Sequence, residues 1–289
     1  MADGNGGGTG DGPVGGAGDG PVGGAAGGGY LLDNSVSAAG ERLDALAAVF
    51  DGTTQRHLED LGVTGGWRCW EVGAGGPSVV RWLAGRVGAD GWVLATDIDT
   101  TWLSPAEGPG VEIRRHDVAA DPPPGDGFDL VHARLVLTHL TDRRRVLATL
   151  VDALRPGGLL LIEDADPGLQ PLSSIDPDGP EDELANRLRT GFRAMLAGRG
   201  ADLAFGRTLP RLLREAGLVD VAADAYLPVA LPDCARLETA TIAFIRDRLV
   251  EYGVATPEEI DRHLGSVAAG RLDLAQPPLM SAWGRRPTG

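Results

Sequence analysis

The strongest constraint on the fold is an alternation of short apolar runs with segments of helical periodicity. The apolar runs predict strands at 68–72, 92–96, 111–114, 128–132 and 159–162. Apolar residues at helical spacing lie between several of them, as over 77–87. Strands that alternate with helices form parallel sheets. With two later strands predicted at 219–227 and 279–283, the last of them antiparallel, we expect an α/β fold with a Rossmann-like, mostly parallel sheet of seven strands.

Polar residues and glycines follow the first two predicted strands. Glu71, Gly73 and Gly75 form the pattern Glu-x-Gly-x-Gly, and Asp97 ends the second strand about 20 residues later. Ligands bind at the carboxyl ends of parallel strands, at the point where the strand order reverses. Glycines let the backbone approach a ligand, and a carboxylate at the position of Asp97 can accept both hydroxyls of a ribose. The pattern therefore predicts a nucleoside site.

A dinucleotide is one candidate nucleoside ligand, but its glycine pattern is incomplete. Gly-x-Gly-x-x-Gly would need a third glycine where the sequence has Ser78. The carboxylate of Glu71 would repel a diphosphate, whereas it suits an amino group. A ligand with a ribose, an adenine, an ammonium group and a positive centre would suit three carboxylates, those of Glu71, Asp97 and Asp117.

Five motifs in chain order resemble those of class I S-adenosylmethionine-dependent methyltransferases. They are Glu71-Val72-Gly73-Ala74-Gly75, Asp97-Ile98-Asp99, His116-Asp117, Phe-Asp-Leu-Val-His-Ala-Arg at 128–134 and Leu-Arg-Pro-Gly-Gly at 154–158. The resemblance extends from about Tyr30 to Trp283 and is densest in the middle of the chain. It implies S-adenosyl-L-methionine as the cofactor and S-adenosyl-L-homocysteine as its product. Pro77 stands where the family has a third glycine, and we expect the turn to survive this change.

The resemblance also implies roles for individual residues. The turn Gly73, Ala74 and Gly75 would pass under the methionine part of the cofactor, with Glu71 near its amino group. Asp97 would hold the ribose, and Ile98 would lie against the adenine. The remaining implied cofactor residues are Asp117 at the adenine amino group, its neighbours His116 and Val118, and Ala133 and Arg134 beside the methionine moiety.

Three more residues lie where the family places parts of its site. His139 follows the fourth strand and would act as a general base, the alternative being a histidine that bonds to backbone at a helix start. Trp102 would cover the adenine and Tyr30 would close over the cofactor, although core packing explains either equally well. We expect His57 and His263 on helix surfaces, and His132 as a strand residue. No Cys-x-x-Cys or His-Glu-x-x-His pattern occurs, so no metal site is expected.

Composition excludes several classes of protein. The 289 residues include no lysine, which P-loop NTPases, protein kinases and pyridoxal enzymes require. A formal charge of −15 argues against a nucleic-acid partner. The cysteines Cys69 and Cys234 form no disulfide framework, and neither a membrane span nor a signal peptide is visible. We therefore expect a cytoplasmic monomer or homodimer with a small-molecule partner and no membrane partner.

The domain organisation follows from composition and periodicity. Residues 1–29 are about half glycine and repeat an octad, so we expect a disordered tail before a methyltransferase domain at 30–289. Within that domain we expect two short helices that break at Asp51-Gly52, and a helix over 137–154 that stops at Pro156-Gly157-Gly158. Helical insertions near 166–202 and 232–270 would cap the substrate site.

The composition of the two insertions indicates the class of methyl acceptor. The insertions contain many apolar residues, which suits a pocket for a small hydrophobic or aromatic natural product. We expect Arg193 and Arg207 on the solvated surface, the alternative being a pair with a substrate carboxylate. O- and C-methylation both remain open. An NAD(P)-dependent oxidoreductase and a non-catalytic S-adenosylmethionine-binding protein are the alternative functions.

Overall fold

The structure is a computed structural model that describes residues 39–289. The predicted tail at 1–29 and the predicted cofactor residue Tyr30 lie outside the described residues. Within residues 39–289, no helix is both long enough and apolar enough to cross a membrane.

Seven strands form one sheet. They are β1 (Arg68–Val72), β2 (Trp92–Asp97), β3 (Val111–Arg115), β4 (Phe128–Arg134), β5 (Leu154–Ala165), β6 (Val219–Tyr226) and β7 (Leu279–Arg285). Their spatial order is β3-β2-β1-β4-β5-β7-β6. The first five strands are parallel to one another, and β7 is antiparallel to both β5 and β6. The predicted Rossmann-like, mostly parallel sheet is confirmed.

Apolar side chains cover both faces of the sheet, because crossover helices pack on each side. On one face, Trp70 and Phe128 pack with side chains of α3 (Arg143–Ala153) and α5 (Leu209–Glu215). On the other, Leu130 packs with side chains of α2 (Ser78–Val87). Each fully buried large side chain contributes roughly 1.5–3 kcal/mol, so this double-sided burial fixes the strand ends that form the site.

The first described helix, α1 (Ala39–Asp60), is continuous, so the predicted break at Asp51-Gly52 is wrong. Val49, Thr53 and His57 follow one another at four-residue spacing across the glycine and lie on one buried stripe of the helix. Asp51 is held in place by Arg134, whose Nη2 donates to its Oδ1 over 2.8 Å. An internal glycine costs about 1 kcal/mol relative to alanine, and the burial of this stripe outweighs that cost.

The prediction for the segment around Pro156 is also wrong. A short 3₁₀ turn at Leu137–His139 precedes α3, which ends at Ala153, and β5 begins at once. The Pro-Gly-Gly run therefore lies inside β5 instead of ending a helix. Gly157 donates from its backbone to Arg286 over 2.9 Å, and Gly158 accepts from Arg286 over the same distance. A distant part of the chain thus pairs this segment as a strand.

Three helices of the predicted insertions form a cap. These are α4 (Pro180–Gly198), α6 (Pro232–Glu251) and α7 (Pro257–Ala268), which share an apolar cluster that includes Leu188 and Ile245. Thr256 begins α7 with a capping box that Glu259 completes. Helix α6 also packs on α1, where Leu237 meets Phe50 and its neighbours. The cap is therefore joined to the sheet through α1.

Candidate active site

A cavity of about 490 Å³ opens at the carboxyl ends of β1, β2 and β4, beneath α4 and α6. Strand β1 lies between β2 and β4, so the chain reverses direction across the sheet at this point. Cavities of roughly 300–1,000 Å³ accommodate small ligands. The sequence-predicted residues that line it are Gly73, Ala74, Gly75, Asp97, Ile98, His116, Asp117, Val118, Arg134 and His139.

The turn after β1 requires its two glycines. Gly73 and Gly75 have φ values of 60° and 61°, a region that side chains other than glycine rarely adopt. A Cβ atom on Gly73 would lie 2.5 Å from Cγ2 of Val136. The Gly75 N–H donates to Oδ2 of Asp97 over 2.8 Å, which ties the turn to the end of β2. The backbone of the turn therefore forms one wall of the cavity.

Asp97 is buried and lies at the end of β2. Its Oδ1 accepts from the Asp99 N–H over 2.9 Å, and its Oδ2 accepts from Gly75. Burial raises the pKa of Asp97, and the backbone donors oppose that rise. A carboxylate oxygen can accept two hydrogen bonds, so both oxygens retain capacity for donors from a ligand.

His116 and Asp117 follow β3 and form the next wall. His116 Nε2 lies 2.9 Å from the carbonyl oxygen of Pro122. A carbonyl only accepts, so Nε2 carries the proton and Nδ1 of the neutral ring is an acceptor. Within residues 39–289 that buried Nδ1 has no hydrogen-bond partner. Ile98 stands at the rim and is 54% exposed, which leaves its side chain available to a flat ligand.

Three predicted cofactor residues do not line the cavity. Glu71 is buried and accepts from Nδ1 of His132 over 2.6 Å, so its carboxylate already has a cationic partner. The Trp102 indole packs against the start of α1, where a Cβ on Gly40 would lie 2.5 Å from it. Ala133 is fully buried within β4. The ammonium and adenine contacts implied for Glu71 and Trp102 have no counterpart in the lining.

His132 belongs to a buried chain of acids and histidines under the site. Its Nε2 lies 3.4 Å from Glu163 Oε2, and Glu163 Oε1 lies 3.0 Å from Nδ1 of His57. His57 Nε2 reaches Asp224 at 2.9 Å. Burial alone would lower the pKa of His132, but the charges of Glu71 and Glu163 outweigh burial and raise it to about 9. The neighbouring carboxylates therefore hold His132 as a cation at neutral pH.

Two surface positions predicted for histidines are wrong. His57 is buried on the stripe of α1 that carries Val49, so its helical spacing from apolar residues was a usable signal. His263 is also buried, and its Nε2 lies 3.0 Å from Oε1 of Glu238. No local signal indicated that partner, because Glu238 comes from α6 and His263 from α7.

The cap contributes the opposite wall of the cavity. Its lining residues from α4 and α6 are Arg189, Phe192, Arg193, Leu196, Leu237, Glu238, Thr241 and Ile242. The predicted surface position of Arg193 is therefore wrong, because helix α4 turns that face towards the sheet. Arg207 instead pairs with Asp166 at the surface, where its Nε donates over 2.8 Å.

His139 lines the cavity between the sheet and the cap. Burial lowers the pKa of His139 to about 4, and the cations Arg42 and Arg143 add to that effect. The imidazole is therefore neutral at physiological pH and has a nitrogen lone pair. No group of acids, histidines or cysteines in the described range 39–289 could hold a metal ion.

Comparisons with known proteins agree with this architecture. Residues 70–162 match the family model of a methyltransferase domain. Methyltransferase GfsG from Streptomyces halstedii is 29% identical over 184 residues, which cover 61% of each chain. The ubiquinone/menaquinone biosynthesis C-methyltransferase UbiE of Vibrio parahaemolyticus is 30% identical over 127 residues, 41% of this chain and 49% of that protein. This chain thus spans less than two thirds of the length of either relative.

A solved structure has the same fold along most of the chain. Phosphoethanolamine N-methyltransferase 2 of Haemonchus contortus, in complex with S-adenosyl-L-methionine, aligns with a TM-score of 0.57 at 14% identity. The alignment covers 89% of this chain and 60% of that one. The family model matches the segment from β1 to β5, whose carboxyl ends carry the glycine turn and Asp97. The chain therefore resembles methyltransferases in sequence over residues 70–162 and in fold over most of its length.

Proposed function

We propose that the chain transfers a methyl group from S-adenosyl-L-methionine to a small hydrophobic or aromatic molecule and releases S-adenosyl-L-homocysteine. The observation that carries the proposal is a single cavity with two different walls. One wall consists of the glycine turn and Asp97 at the switch point of the sheet, and the other consists of largely apolar cap residues. A donor and an acceptor bound against these walls would meet beside His139.

The residues present fit the cofactor. Both carboxylate oxygens of Asp97 accept a backbone N–H and can also accept from ribose hydroxyls. Nδ1 of His116, a buried acceptor with no partner among the described residues, suits the amino group of adenine. Ile98 provides an exposed apolar surface for the ring. A Cβ at Gly73 would collide with Val136, so backbone alone forms the floor of the cradle.

The position proposed for the ammonium group differs from the one that the resemblance implies. Glu71 is engaged with His132 and does not line the cavity. We propose that Glu71 stabilises the conformation of the glycine turn, with its charge balanced by His132. We also propose that the methionine moiety contacts backbone of this turn and of the loop that follows β4. Leu135, with φ of 59°, holds that loop in a strained conformation beside the cavity.

Bound S-adenosyl-L-methionine supplies an activated methyl group on a sulfonium centre. The side chains have to position the acceptor for in-line attack, and correct positioning alone can supply about 7–11 kcal/mol of the acceleration. Helices α4 and α6 of the cap line the cavity opposite the sheet. If the acceptor is a hydroxyl group, a ring nitrogen of His139 takes its proton, because the imidazole is neutral above pH 4.

The similar proteins include both carbon and nitrogen methyltransferases. UbiE is named a C-methyltransferase, and the structural neighbour is an N-methyltransferase. A carbon acceptor needs less help from a base than a hydroxyl acceptor does.

The test is an assay of turnover. The full chain is incubated with methyl-labelled S-adenosyl-L-methionine and a panel of phenols, indoles, small acids and amines, and S-adenosyl-L-homocysteine is quantified. We expect product that depends on one class of acceptor. Cofactor binding without any acceptor-dependent turnover would indicate a non-catalytic binding protein instead.

A further inference from the structure

Helix α4 presents two arginines to the cap side of the cavity. Arg189 and Arg193 are four residues apart, so they lie on the same face of the helix, and both line the cavity. Arg189 is only 5% exposed. Its neighbours on the lining, Phe192 and Leu196, are apolar and surround the cations with a low-dielectric wall.

The guanidinium of Arg189 is held at one end and unsatisfied at the other. Its Nη2 lies 3.1 Å from the carbonyl oxygen of Ala275, 3.2 Å from Glu238 Oε2 and 3.3 Å from Ser173 Oγ. Its Nη1 is buried and has no hydrogen-bond partner in residues 39–289. A buried donor without an acceptor lowers the stability of the fold. Such a group in a cavity therefore indicates that a bound ligand supplies the acceptor.

Charges on this side of the cavity do not balance. Among the described cap residues that line the cavity, Glu238 is the one acid. Its carboxylate contacts both Arg189 and His263. Arg193 makes no ion pair with any described residue, and its buried Nε has no hydrogen-bond partner there. The remaining acids of the lining, Asp97 and Asp117, lie at the strand ends, on the proposed cofactor side. The acceptor side therefore has an excess of positive charge.

We propose that the methyl acceptor carries an oxyanion, a carboxylate or a phosphate, which Arg189 and Arg193 bind under the cap. The planar guanidinium matches both of these groups, because its N–H donors form a fork that fits two oxygens. The apolar lining around the pair takes the body of the acceptor. The molecule recognised is thus an apolar acid and not an uncharged hydrophobic compound. This inference rests on the proposed methyl transfer, since it names the class of its substrate.

The first test compares ligands of the same shape and different charge. The full chain, saturated with S-adenosyl-L-homocysteine, is titrated with benzoate, phenyl phosphate and benzamide, and binding is followed by saturation-transfer NMR and calorimetry. We expect at least one of the two anions to bind about tenfold or more tightly than benzamide. The tighter of the two anions identifies the carboxylate or the phosphate as the group recognised.

The second test removes one cation at a time. Arg193→Met should weaken binding of the preferred anion about tenfold and leave benzamide binding unchanged. Arg199→Met is the matched control, because it removes the same charge from the end of the same helix, away from the cavity. Arg189→Lys keeps the charge but loses the fork, and it should also weaken anion binding.

The outcomes separate this inference from the proposed function. Failure of the wild-type chain to bind S-adenosyl-L-homocysteine would contradict the methyltransferase proposal itself. Normal binding of that product, together with equal affinity for the anions and benzamide or no binding of either anion, would overturn the oxyanion site. An Arg193→Met variant that binds the anion as tightly as wild type would overturn the role of that residue. The comparison of ligands on the wild-type chain stands even if a variant folds poorly.

Discussion

Asp97 has two roles that the sequence predicts only in part. Its position at the end of a buried strand follows from the local pattern, and the structure brings it to the cavity. Its second role is internal, because it accepts the N–H of Gly75 and so fixes the glycine turn. A side chain that both shapes the turn and lines the cavity should be sensitive to any truncation.

Replacement of Asp97 by alanine should weaken binding of S-adenosyl-L-homocysteine by at least about tenfold. A hydrogen bond to a charged acceptor is worth about 1.5–3 kcal/mol, and the variant loses the acceptor for both proposed hydroxyls. Calorimetry measures the change. Asp99→Ala is the control, since Asp99 lies two residues away and does not line the cavity. Equal affinity of the Asp97→Ala and wild-type proteins would contradict the ribose assignment.

His139 should matter for turnover and not for cofactor affinity. With a hydroxyl acceptor, His139→Gln should lower kcat by about 10²–10⁴, because the variant cannot take the proton. Burial and neighbouring arginines hold the pKa of His139 near 4, so wild-type kcat/KM should fall only below about pH 4 to 5 on the acid side. A variant that keeps kcat within threefold, with a hydroxyl acceptor in use, would rule out the base.

Glu71 shows why a motif residue cannot be assigned from its position alone. The sequence places it beside the glycine turn, which the structure confirms, but its partner His132 comes from β4. The side chains meet because β1 and β4 are neighbours, with Glu71 paired in register to His132. Strand order is a tertiary property, so the charge balance of Glu71 could not be deduced from local spacing.

At the scale of elements, the hydrogen-bonded series of side chains that begins at Glu71 and ends at Asp224 links β1, β4, β5, α1 and β6. Glu163, at its centre, also accepts from Ser281 over 2.7 Å. Burial disfavours its charge, yet hydrogen bonds from His132 and His57 outweigh that effect and lower the pKa of Glu163. Five elements are thus held by hydrogen-bonded charges and not by apolar contact alone.

The hydrogen-bonded series of acids and histidines predicts that the free energy of unfolding falls in alkaline solution. The pKa of His132 is raised from 6.5 to about 9, and that of His57 is raised as well. Stabilisation by such groups is complete below pH 6.5 and is lost as pH rises towards 9. The free energy of unfolding in urea should therefore fall by on the order of 2–3 kcal/mol between those values.

A variant at Asp224, the most exposed member of this series of side chains, tests whether the charged histidines cause the loss of stability. Asp224→Asn should reduce the alkaline loss, because Asp224 raises the pKa of His57. Asp220→Asn on the same strand is the control, and asparagine tolerates its φ of 54°. A wild-type stability that does not change between pH 6.5 and 9 would contradict the assignment of charged histidines.

Packing within the cap gives a second prediction at this scale. Gly191 lies in the middle of α4, and a Cβ there would lie 2.4 Å from Cγ1 of Val254. Gly191→Ala should therefore destabilise the protein by about 1–3 kcal/mol despite the better helix propensity of alanine. It should also raise KM for the acceptor, since Phe192 and Arg193 follow it on the lining.

The matched control is Gly198→Ala, at the end of the same helix. No atom lies within 4 Å of a Cβ at Gly198, so that variant should be neutral or slightly stabilising. Thermal unfolding of the two variants measures the difference. Similar stabilities would show that the contact between α4 and Val254 can relax without cost.

The sequence predicted elements best where their signal is local. The glycine turn and the strand that ends at Asp97 depend on neighbouring residues, and both are observed. The predictions failed where a distant partner decided the outcome. Leu154 became a strand residue by pairing with Phe128, and Arg193 became a cavity residue because α4 folds over the sheet.

For the whole molecule, the site depends on two parts of the chain that are held together by α1. The sheet supplies the proposed cofactor wall and the cap supplies the proposed acceptor wall, and α1 packs against α6 while Arg42, Leu43, Leu46 and Phe50 line the cavity. A ligand in that cavity contacts both parts at once. Its binding energy should therefore stabilise the complete fold and not the sheet alone.

We predict that S-adenosyl-L-homocysteine at 100 times its dissociation constant will stabilise the folded chain by about 2.7 kcal/mol. For a domain of this size, that corresponds to a rise in Tm of about 5–10 °C. The same concentration of NAD should give no shift, because the turn lacks a third glycine and the nearby carboxylates disfavour a diphosphate. Differential scanning calorimetry distinguishes the two ligands, and a tenfold loss of affinity in Asp97→Ala should remove about half of the shift or more. A rise in Tm with NAD alone would favour an oxidoreductase. Unfolding in two separate transitions, with a ligand-induced shift in only one of them, would contradict a site that joins the cap to the sheet.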